Sequence, residues 1–68
     1  MSSSINEVYY HIQHAEQMYE WHRISREKLR IDLKQLVNEL ALFDLEQAEE
    51  QIARIYSKYD FEFEIEEE

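Results

Sequence analysis

Sixty-eight residues make one domain at most, too short to bury a comfortable core alone, so a staple or a second copy is expected. With no cysteine there is no disulfide or thiolate metal site, and with no glycine or proline the tight left-handed turns, phosphate-cradling loops and usual helix breakers are missing. Sixteen acidic against seven basic residues leave a net charge of −9, which disfavours direct contact with nucleic acid or an anionic membrane.

The first three residues are expected to fray, and they lack the basic and apolar regions of a signal peptide. No apolar run approaches the roughly 20 residues that cross a bilayer, so a cytoplasmic protein is expected. Ser4 opens the first helix, with Glu7 three residues on as its capping-box partner. From there the spacing of three and four is unbroken to Phe43, which predicts one long helix over about residues 5–42. Ile5, Ile12, Tyr19, Arg26, Leu33 and Leu40 occupy one seam position of the heptad. Val8, Ala15, His22, Leu29, Leu36 and Phe43 occupy the other. A competing layout breaks this helix near Ser25 and makes a three-helix bundle. It has less in its favour, because Ser25 is followed three residues on by Lys28 rather than an acid.

A new helix begins at Asp44, a good N-cap with Gln47 at the box position and Phe43 and Ala48 placed for a hydrophobic staple. It is predicted over about residues 45–59, with Leu45, Ala48, Ile52, Ile55 and Tyr59 as its seam. The predicted fold is therefore all-α: residues 1–59 form a hairpin of one long and one shorter antiparallel helix. The short arm reaches only the C-terminal half of the long one. Ile5, Val8, Ile12, Ala15, Tyr19 and His22 are left uncovered and are predicted to make a homodimer interface, in a coiled-coil-like or four-helix bundle.

Residues 60–68 change period. Acidic residues alternate with Phe61, Phe63 and Ile65, which share one side if this acidic tail is extended. Charge is uneven along the chain: residues 23–34 carry +3, and residues 35–68 carry −9. The basic belt is either a solvated face or a seat for the folded-back tail or for a partner.

The chemistry of a catalytic or cofactor site is not apparent. His11 and His14 share a face, with Glu7 one turn before His11, but the Glu three residues before His of a di-iron site is missing, and surface histidines are expected. No nucleophile stands near a histidine in a recognisable pattern, and paired carboxylates would need a cleft that two helices do not enclose. No enzyme, metal or cofactor is expected. The function expected is a small regulator or inhibitor, a homodimer that docks on a basic partner protein. Its predicted contact residues are Trp21, Ile24 and Ile31 on the far side of the long helix, with Phe61, Phe63 and Ile65 in the tail. A structural coiled-coil component is the alternative, as is a mimic of DNA whose carboxylates imitate phosphates.

Overall fold

The computed structural model describes residues 4–66. The fraying expected of residues 1–3 and the last two residues of the tail lie outside them. Ser4 caps the first helix as its position suggests: its Oγ accepts from the Glu7 N–H at 3.3 Å, and α1 runs from Ile5 to Glu20. The chain then leaves the helix. The Arg23 N–H donates to the Met18 carbonyl and the His22 N–H to the Tyr19 carbonyl, with His22 at φ 60°. These are the two bonds of a Schellman motif with histidine in the left-handed position that glycine usually takes.

Ser25 starts the next helix, its Oγ accepting from the Lys28 N–H at 3.1 Å. The long helix expected over residues 5–42 is thus two: α1, and α2 from Arg26 to Phe43. Asp44 closes α2 through its N–H to Leu40 and caps α3, Leu45–Tyr59, by accepting from the Gln47 N–H at 3.2 Å. The described residues hold three packed helices and no strand.

The break redistributes the core. α2 is the central element, with α1 folded antiparallel along one flank and α3 along the other. Val8, Ile12 and Ala15, expected at a dimer interface, are instead buried in the chain's own core with Leu29, Leu33, Val37 and Leu40 of α2. Ile5 and Tyr19 are partly buried against the same cluster, and His22 is exposed in the link. The uncovered stripe that called for a second copy is absent, because α2 supplies the cover. Each large apolar side chain buried this way contributes on the order of 1.5–3 kcal/mol. Val37, outside the predicted seam, is fully buried, whereas Leu36 is half-buried and Phe43 is exposed. A central helix needs a wider apolar arc than a hairpin arm, since it faces two neighbours.

The tail completes the core. Asp60 turns the chain at φ 65°, after which Phe61 and Phe63 are buried, Ile65 is half-buried, and Glu62, Glu64 and Glu66 are exposed. That period of two marks an extended course with the apolar side down. Tyr59, Phe61 and Phe63 stack in succession, with ring centroids 5.7 and 5.9 Å apart. The Arg26 guanidinium lies 4.5 Å over the Phe61 ring and donates to the Tyr59 carbonyl, satisfying the C-terminus of α3. Further along, Lys34 lies 3.8 Å from Glu66, and Asn38 Oδ1 accepts the Glu66 N–H at 2.8 Å. The tail therefore runs along Arg26, Lys34 and Asn38, so the basic belt seats it within the chain.

Candidate functional site

Side chains, more than backbone proximity, tie α1 to α3. Glu16 is 7% exposed, and its carboxylate accepts from both terminal nitrogens of Arg54, from Lys58 at 3.3 Å and from the Tyr59 hydroxyl at 3.0 Å. Burial works to raise its pKa, but the hydrogen bonds and charge of Arg54, with those of Tyr59 and Lys58, outweigh burial and hold it below the usual carboxylate value. Burial, followed by the bond to Glu16, raises the Tyr59 pKa. Two turns away, the Tyr9 hydroxyl donates to Gln47 Oε1, while Gln47 Nε2 donates to Asp44 Oδ2 at 3.1 Å. The Gln47 side chain thus serves the α1–α3 contact as well as the cap. Among the described residues no buried side-chain nitrogen or oxygen lacks a hydrogen-bond partner, the pattern of a satisfied structural network.

The cations are mostly spoken for in the same way. Arg54 and Lys58 hold Glu16, Lys28 pairs with Asp32, Arg30 with Glu27, Lys34 with Glu66, and Arg26 lies over the tail. Glu39, Glu46, Glu49, Glu50, Glu62 and Glu64 are exposed and, among the described residues, have no cation within ion-pair distance. They lie toward the α2–α3 turn and along the tail. The same turn carries an apolar tip: Leu42 is 85% exposed, and Phe43 and Leu45 are each 46% exposed. Glu39 precedes that tip by one turn, and Glu46 and Glu49 follow it by less than one turn and about one turn. Beside it, Leu45, Glu49 and Ile52 of α3 and Phe63, Glu64 and Ile65 of the tail line a shallow groove of about 650 Å³.

The residues expected to contact a partner fall in different places. Phe61 and Phe63 are consumed by the core, and Ile65 is half-buried beside the groove. Ile24 packs against the core and lines a groove with His14, Met18 and Leu36. Trp21 is 59% exposed at the end of α1, while Ile31 is exposed on α2 beside Lys34 and Glu66. The break near Ser25 has divided this far-side stripe. The tip of Leu42, Phe43 and Leu45 was missed because Phe43 and Leu45 fit the seam; its signal was three large apolar residues flanking a cap, more than one staple can bury.

His11 and His14 are exposed beside Tyr10, whose ring is stacked 6.2 Å from His14. Among the described residues no three His, Asp, Glu or Cys side chains converge on one point, and no helix is long and apolar enough to cross a membrane. Comparison with protein-family models, curated proteins and solved structures gives no match.

Proposed function

We propose that this chain is a non-enzymatic protein-binding module, a small acidic regulator or inhibitor that docks on a basic surface of a partner protein. The observation that carries this reading is the separation of charge. Six of the seven cations are drawn into contacts within the chain, while Glu39, Glu46 and Glu49, which have no cation among the described residues, lie next to the exposed tip of Leu42, Phe43 and Leu45. Carboxylates steer a basic partner and restrict its orientation, and apolar anchors supply most of the affinity once water is displaced. A single copy presents both.

The test is retention of a host protein on immobilised wild type, compared with the double variants Leu42→Ser/Phe43→Ser and Glu46→Lys/Glu49→Lys. These positions are exposed, so helicity should be kept, with melting lowered only slightly where Glu46 is lost from the first turn of α3. The expected result is a retained protein with a basic surface that both variants lose, and whose affinity falls as salt is raised. Equal retention by all three proteins contradicts the reading.

A further inference from the structure

We propose that the edge of the tail facing α3 is a strand-docking edge, which takes an extended segment of the partner in which basic and apolar residues alternate. This rests on the docking reading above and gives it a site and a binding mode. The tail lies with Phe61, Phe63 and Ile65 toward the core and its glutamates outward. The Glu66 N–H points to Asn38 on the α2 side, where it is held at 2.8 Å. In an extended chain the main-chain groups of successive residues point to opposite edges, so those of Phe63 and Ile65 point toward α3. Among the described residues, no N–H or C=O from Phe61 to Ile65 has a main-chain partner. A row of unpaired main-chain groups is a template for another strand.

The space beside that edge suits such an occupant. Its wall is the groove of Leu45, Ile52, Phe63 and Ile65, which would receive every second side chain of an added strand. Basic side chains of that strand would meet Glu49 and Glu64, which also line the groove and have no cation among the described residues. Charge selects the occupant. Another copy's tail, with acid at Asp60, Glu62, Glu64 and Glu66, would be repelled, whereas lysine or arginine at alternate positions complements Glu49 and Glu64.

The experiment titrates the isotope-labelled full chain with an end-capped heptapeptide of alternating lysine and valine, following backbone amide shifts. A second peptide has the same sequence with its valine nitrogens methylated, which keeps charge and apolar surface but removes strand pairing. The expected result is shifts at Glu49, Ile52, Phe63 and Ile65, binding about tenfold weaker for the methylated peptide, and a similar loss in Glu64→Lys. Equal binding of the two peptides, or shifts confined to residues 42–46, overturns the strand edge while leaving acidic docking in place. Shifts at the same four amides that grow with protein concentration alone would give the edge to a second copy and also overturn it. No shift anywhere at millimolar peptide overturns both readings.

Discussion

Glu16 joins α1 to α3 through three different residues, and its worth follows from what its loss leaves behind. Glu16→Gln removes the charge that Arg54 and Lys58 share and should cost about 1.5–3 kcal/mol, read as a lowered melting temperature. Folding lowers the Glu16 pKa, so its contribution is complete above the ordinary carboxylate range and is lost as pH falls through the lower folded value. The variant should therefore lose less stability than wild type below about pH 5; parallel acid limbs would count against the network. His22 presents the opposite case, a residue held where its Cβ is crowded. His22→Gly relieves the left-handed conformation and should stabilise by about 0.5–1 kcal/mol after the extra entropy of glycine in the unfolded chain is subtracted, while His22→Val should destabilise. A lower melting point for the glycine variant would show that the link does not adopt this turn.

Among the elements, the tail is a structural part of the domain. Phe61 and Phe63 are 5% and 8% exposed, and replacing either with alanine should cost about 3–5 kcal/mol, comparable to the whole stability of a domain this small. Urea denaturation checks this, and an unchanged midpoint would contradict the packing described. The outer elements were legible in the sequence for definite reasons: Ser4 and Asp44 are strong caps, and the alternation after Asp60 assigns Phe61, Phe63 and Ile65 to one side. The break between α1 and α2 was obscured by three coincidences. Histidine stands at the left-handed position, Ser25 caps without an acid three residues on, and His22 and Arg26 fall where they keep the spacing of three and four intact across the link. The glutamates flanking Leu42, Phe43 and Leu45 were readable from their positions, but their lack of cation partners was not, because the partners of Lys34, Arg54 and Lys58 depend on how the tail and α1 pack.

For the molecule as a whole, the break and the tail together let one chain close its own core. α2 covers α1, α3 and the tail cover the rest of α2, and the principal extents are 31 × 28 × 18 Å. An unbroken helix over residues 5–42 would alone span roughly 57 Å, with its N-terminal half in need of a mate. The coiled-coil reading depended on that continuous seam, which the link at residues 21–25 interrupts. The most direct test places spin labels at Asn6→Cys and Glu39→Cys, both exposed positions, in chains diluted with unlabelled protein, and measures the distance within one chain. Antiparallel α1 and α2 predict a separation below about 30 Å, within the extents of the fold. A separation near 50 Å, the length of a continuous helix between those positions, would contradict the account.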